Sequence, residues 1–203
     1  ICIILLLTVF FLYLKTYRRK LLDKLRHIFF FTILMAIIIA VAAFTLRYAP
    51  TGFIYIVPFT WCPIIARVFY DSRTAIFVHL ITIFIISLAA PAPYLFILIQ
   101  FIVGVIAVIS LRDMTQRAQL AQTAAFILLS YSILYTAATL LMAGNISDID
   151  YRYYIYFAIN AVLVICSYGL IFLFERCFGL ISNITLVELT NVNSNLMLAF
   201  AEK

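Results

Sequence analysis

The amino-acid sequence predicts an all-α integral membrane protein, a seven-helix transmembrane bundle followed by a C-terminal cytoplasmic amphipathic connector helix. Three observations predict it. Of 203 residues, 67% are apolar and only 11% charged, with 19 Phe and 13 Tyr, and the mean hydropathy is +1.18, far from the mix of water-soluble domains. Charge-free runs long enough to cross hydrocarbon recur along the chain, and the basic residues gather in alternate connections between them. This composition excludes a disordered chain, a disulfide scaffold and a nucleic-acid-binding domain. The formal net charge of +6 is accounted for by membrane topology, and no nucleic acid is expected as a partner.

A span needs about 20 apolar residues to cross about 30 Å of hydrocarbon. The first run, residues 1–14, opens on Ile1-Cys2-Ile3 without an initiator Met. Basic residues follow it and none precedes it, so it reads as the tail of a helix that begins upstream rather than as a signal peptide. The second span covers residues 28–46, and the third, 48–66, lies between Arg47 and Arg67. Thr74 to Leu111 then carries no formal charge over 38 residues, which as one helix would be about 57 Å long. It must fold back, and Ala89-Ala90-Pro91-Ala92-Pro93 supplies the turn, because two prolines remove two backbone donors and restrict the residues before them. That separates a fourth span, 74–90, from a fifth, 94–111. The sixth covers 118–143 and the seventh 153–174. Residues 1–176 thus form the membrane domain and 177–203 the connector.

Orientation follows from Lys and Arg. With alternating sides, one set of connections holds Lys15, Arg18, Arg19, Lys20, Lys24, Arg26, Arg67, Arg73, Arg112, Arg117, Arg176 and Lys203, and the other only Arg47 and Arg152. The twelve-to-two split predicts an N-terminus outside and a C-terminus in the cytoplasm. Tyr151, Tyr153, Tyr154 and Tyr156 fall where an interfacial aromatic belt belongs.

Few polar groups sit at depth. Arg67, Asp71 and Arg73 bracket the cytoplasmic turn between the third and fourth spans. Arg67 and Asp71 are four apart and can pair on a helix, so the group reads either as a snorkelling, self-neutralised helix end or as a coupling contact for a cytoplasmic domain. His79, in the fourth span, has no second ligand at helical spacing and reads as a hydrogen-bonded packing residue before a relay. Gln100 and Asn160 read as interhelical hydrogen-bonding groups, with a ligand cavity as the sharper alternative. Pro58 and Pro63 predict a kinked third span, and broken helices also build mid-membrane sites in transporters. Cys2, Cys62, Cys166 and Cys177 lack metal-ligand spacing and read as inert thiols. With His only at 27 and 79 there is no HExxH, no G-x-S-x-G and no phosphate-binding glycine loop, so no catalytic residue and no metal ligand is expected within this chain.

Beyond the seventh span, Gly179 can end the helix, and Thr185 with Glu188 has capping-box spacing. Leu186, Leu189, Val192, Leu196 and Phe200 then form an apolar stripe with almost no Lys or Arg opposite it. Such a helix is expected to pack on a further domain or a second subunit, so a homodimer joins the bilayer among the expected partners.

The run Phe178-Gly-Leu-Ile-Ser-Asn-Ile-Thr-Leu-Val-Glu-Leu-Thr-Asn-Val-Asn193 resembles the connector of bacterial 7TM receptors with an intracellular HD hydrolase domain, the PgpH-type cyclic-di-AMP phosphodiesterases. Asp71-Ser72-Arg73 is similar to their equivalent turn, whereas Ser194-Asn195 departs from the His-Pro that many members carry. The resemblance implies an extracellular domain before the spans and an HD domain after Lys203, whose His and Asp side chains would hold two divalent metals (Mn or Fe). The expectation is therefore a membrane module that anchors, and relays a signal to, a cytoplasmic phosphodiesterase, with Arg67, Asp71, Arg73, Leu189 and Leu196 as coupling residues. A small-solute transporter or substrate-capture component is the alternative, resting on Pro58, Pro63, Gln100 and Asn160.

Overall fold

The computed structural model describes residues 1–22, 24–50, 52–111, 118–145 and 149–180. The expected connector helix, with Leu189 and Leu196, and the Arg112 to Arg117 connection lie outside the described residues. Within them every regular element is helical: α1 (Cys2–Tyr17), α2 (Arg19–Leu22), α3 (Leu25–Tyr48), a 3₁₀ turn (Phe53–Ile56), α4 (Trp61–Phe69), α5 (Ser72–Ser87), α6 (Pro93–Ser110), α7 (Ala118–Ala143) and α8 (Arg152–Phe178). Four are long and apolar enough to cross a membrane, namely α3, α6, α7 and α8. Helices α1 and α5 have 16 residues each, about 24 Å of helix.

The third predicted span is where the structure departs from the sequence reading. Residues 48–66 do not form one kinked helix. The chain leaves α3 at Tyr48, turns at Gly52 with φ 100°, makes the short 3₁₀ turn, runs extended through Val57 and only then enters α4, nine residues long. The two prolines delimit the break. Pro58 precedes α4, and Pro63 is its third residue, within the first turn, where the missing N–H has no intrahelical acceptor in any case. Gly52 is required twice over, because a Cβ there would meet the Tyr153 ring at 3.1 Å and because positive φ disfavours a side chain.

The proline fold-back behaves as expected. Helix α5 ends at Ser87 and α6 begins with Pro93 at its first position, the helical site at which a missing N–H costs least. Gly179, left-handed at φ 58°, stops α8 and matches the predicted C-cap.

The short helices α4 and α5 are the central ones. Ten of the 16 residues of α5 and six of the nine of α4 are buried, with α5 in contact with α1, α3, α4 and α6, and α4 also against α6 and α8. The long helix α7 packs against α6 and α8 and turns large apolar side chains such as Ile133 and Leu141 outward. The core is continuous from Phe10 on α1 to Phe174 on α8. Inside a bilayer such packing rests on close contact and hydrogen bonds, since lipid tails are as apolar as the side chains.

Candidate functional site

Three polar constellations stand at different depths, and each is built by residues far apart in sequence. The first lies at the basic end, where α1 meets the α4–α5 turn. Asp71 is the N-cap of α5. Its Oδ1 accepts from the Thr74 hydroxyl at 2.7 Å, and its Oδ2 accepts from the Thr74 amide at 3.4 Å. The carboxylate also forms an ion pair with Arg18 at the end of α1. Partial burial opposes its ionisation, yet the Thr74 hydrogen bonds and the Arg18 charge outweigh it and hold the Asp71 carboxyl below the usual carboxylate range.

The expected Arg67–Asp71 pair is corrected here. Helix α4 stops at Phe69 and Tyr70 is extended, so the two residues do not share a helix and the four-residue spacing no longer brings them together. Arg67 instead donates to the Tyr70 carbonyl at 3.3 Å, and Arg73 is exposed on the first turn of α5. Tyr70 joins this turn to α3, because its hydroxyl is 2.7 Å from His27 Nδ1. Its ring lies 5.2 Å from that of Phe30. Phe30, fully buried, also meets Phe69, Phe174 and Phe178 edge-on at 5.3 to 5.5 Å. Edge-to-face rings at this separation are mutually attractive. One aromatic cluster thus links the α4–α5 turn to the last turn of α8, one residue before Gly179.

The second constellation is at mid-depth between α5, α6 and α7. His79 donates Nε2–H to the Gln100 carbonyl at 2.9 Å, and Tyr131 donates its hydroxyl to Gln100 Oε1 at 2.6 Å. All three side chains are buried. His79 reaches α6 because Gly104 has no side chain; a Cβ there would stand 2.1 Å from Nε2. Two of the candidates, His79 and Gln100, are therefore brought together as an interhelical hydrogen-bond chain, with Tyr131 as a member that sequence reasoning passed over among the many tyrosines.

The third closes the interruption before α4. Asn160 of α8 donates Nδ2 to the carbonyls of Tyr55 and Val57 at 2.9 Å each and to that of Ile56 at 3.4 Å. Trp61 Nε1 donates to the Leu163 carbonyl at 2.8 Å. The carbonyls freed at Pro58 are thus satisfied from the neighbouring helix, the requirement lipid imposes on irregular backbone. Asn160 and Pro58 act at one place, whereas Pro63 serves the start of α4. Beside them an apolar cleft of about 460 Å³ is lined by Phe44, Tyr48, Phe53, Val57, Pro58 and others.

Among the described residues no group of three or more His, Cys, Asp or Glu side chains is placed to hold a metal ion. The four cysteines are free thiols, and Cys62 alone of them is buried.

Residues 1–182 match the family model described as 7TM receptor with intracellular HD hydrolase. This chain belongs to that family. The match spans every described helix from α1 to α8, so the arrangement above is that of the 7TM portion of such a receptor. No curated protein and no solved structure matches the chain.

Proposed function

We propose that this chain is the membrane module of a cyclic-di-AMP phosphodiesterase. In this reading it couples an extracellular domain upstream to a cytoplasmic HD hydrolase downstream. The family match over residues 1–182 supports the membrane module and the HD hydrolase, and the resemblance of residues 178–193 to the connector of the PgpH-type enzymes supports cyclic-di-AMP as the substrate. The twelve-to-two distribution of basic residues supports seven crossings of a bacterial inner membrane, with the N-terminus outside and the C-terminus in the cytoplasm. In this reading the two divalent metals, Mn or Fe, and the chemistry of hydrolysis belong to the HD domain.

The relay has a physical route. A displacement of α1 acts on Asp71 through Arg18, on the α4–α5 turn that Asp71 caps, and through Tyr70 and Phe30 on Phe174 and Phe178 at the end of α8. Beyond Gly179 the apolar stripe containing Leu189 and Leu196 is the surface on which the next domain docks, with a second subunit as a further partner.

Replacing Leu189 and Leu196 by Asp in the intact parent tests this reading. Each buried Leu contributes about 1.5–3 kcal/mol, so the double change should alter cyclic-di-AMP hydrolysis, or its response to an outside signal, in membranes matched for protein level. Unchanged activity and regulation would make the segment a spacer and the module an anchor. A periplasm-active reporter should be active when fused at Asn145 and silent after Lys203; the reverse pattern would discard the orientation.

A further inference from the structure

We propose that the elbow between α1 and α2 holds the phosphodiester headgroup of an anionic phospholipid, on the Arg18 and Arg19 side chains beside the α4–α5 turn. A cavity of about 630 Å³ opens there, lined by Thr16, Tyr17, Arg18, Arg19, Tyr70 and Asp71 among others. That size lies in the range of small-molecule sites. Its donors suit a phosphate: two guanidiniums and a threonine hydroxyl, with Arg geometry matched to bidentate phosphate contact.

The one acid among the described lining residues is already engaged. Asp71 turns both carboxylate oxygens toward Thr74 and one terminal nitrogen of Arg18. A guanidinium carries five N–H donors, so Arg18 keeps donors for a ligand while Asp71 fixes its position. Arg19, on the same lining, is exposed.

The surface beside the cavity decides the class of ligand. Helix α1 presents Leu5, Leu7, Phe11 and Leu12 outward, all 45 to 62% exposed, and this apolar face runs up to the elbow, where Lys15, Arg18 and Arg19 follow within the next seven residues. An apolar face that ends in a basic cavity fits an anionic amphiphile, with its tails along α1 and its headgroup at the arginines. A freely diffusing anion would use the cavity and leave the face idle. Basic pockets at helix ends are known binding places for anionic headgroups. Occupancy would bear on Arg18, and hence on the Asp71 cap of α5.

Native mass spectrometry of the purified chain titrated with phosphatidylglycerol or phosphatidylcholine tests this proposal. The wild type should retain phosphatidylglycerol selectively. Arg19→Gln should lower that affinity about fivefold, the loss expected for one basic charge at an anionic surface, while Arg19→Lys should keep most of it. Asp71→Asn, which preserves a good N-cap residue and releases Arg18 from its partner, should raise the affinity. Arg176→Gln, at the same end of the molecule but outside the cavity, should leave it unchanged. An equal loss in Arg176→Gln would replace the site with diffuse surface charge. Displacement of the lipid by millimolar inorganic phosphate would assign the cavity to a soluble anion. Either result, or undiminished selectivity in Arg19→Gln, overturns the proposal.

Discussion

Helix α5 has 16 residues, ten of them buried, whereas α7 has 26 and turns Leu129, Ile133 and Leu141 outward at 57%, 65% and 87% exposure. On both helices a polar side chain is used according to what it faces. On α7 the hydroxyls of Ser130, Ser132, Thr136 and Thr139 each donate to the carbonyl four residues back, and of these Thr136 alone also reaches another helix, at Tyr154. The buried groups cross: His79 of α5 bonds to α6, Thr123 and Tyr131 of α7 bond to Ser110 and Gln100 of α6, and Thr82 of α5, while donating to the Val78 carbonyl, lies 3.5 Å from Cys62 Sγ on α4. A hydroxyl facing lipid finds no water and must be satisfied within its own helix, while a group facing protein is available to join two helices. Cross-helix polarity is found where the chain meets itself, and there a helix too short to cross, such as α4, is stable because its neighbours complete it.

The largest blow to this contrast should come from Asn160→Leu. It removes the donor to the Tyr55 and Ile56 carbonyls of the interrupted segment and one of the two to that of Val57, which keeps the Phe59 amide, and unsatisfied buried polar groups cost about 1–3 kcal/mol each. A loss of about 3 kcal/mol is expected in reversible unfolding in mixed micelles; a loss below about 1 kcal/mol would mean that the interruption stands without α8. Gly104→Ala comes next, at about 2 kcal/mol, because the new methyl overlaps His79. Combining it with His79→Ala should recover much of that loss, and strict additivity would show that the α5–α6 approach is not set by this pair.

Tyr131→Phe removes the hydroxyl bonded to Gln100 and keeps the ring stacked on Phe157, so about 1 kcal/mol is expected. Asp71→Asn should cost less, about 0–1 kcal/mol at neutral pH, since the Arg18 pair is partly exposed. Its pH dependence is diagnostic. A carboxyl whose folded value lies below its unfolded one, about 3.9, contributes in full above that value and loses the contribution as pH falls through the folded value. The gap between wild type and Asp71→Asn should therefore close in acid; a gap that widens would reverse the sign of the Asp71 interaction. Leu129→Ala, on the outward face of α7, should have the smallest effect, within about 0.5 kcal/mol, and a larger one would point to a protein partner on that face.

Hydrophobicity, charge and proline read directly from one dimension because each acts locally. The length of an apolar run, the exclusion of Arg from hydrocarbon and the loss of a backbone donor at Pro91 and Pro93 depend on neighbours within a turn or two. The fold-back, the extent of α7 and the Gly179 stop were accordingly legible, and so was the resemblance read from the run Phe178 to Asn193 and from Asp71-Ser72-Arg73, which the family match bears out at the level of a 7TM receptor with an HD hydrolase. What the linear order could not decide was partnership. Asp71 had a basic residue at the right helical spacing in Arg67, but α4 ended two residues before it, at Phe69, and Arg18, 53 positions away, took the carboxylate. Pro58 announced a disturbed helix, but whether it became a kink or a complete interruption depended on Asn160, more than 100 residues distant, supplying donors for the released carbonyls. An unsatisfied carbonyl inside a membrane has no water to turn to, so a break survives only where the fold brings a donor to it.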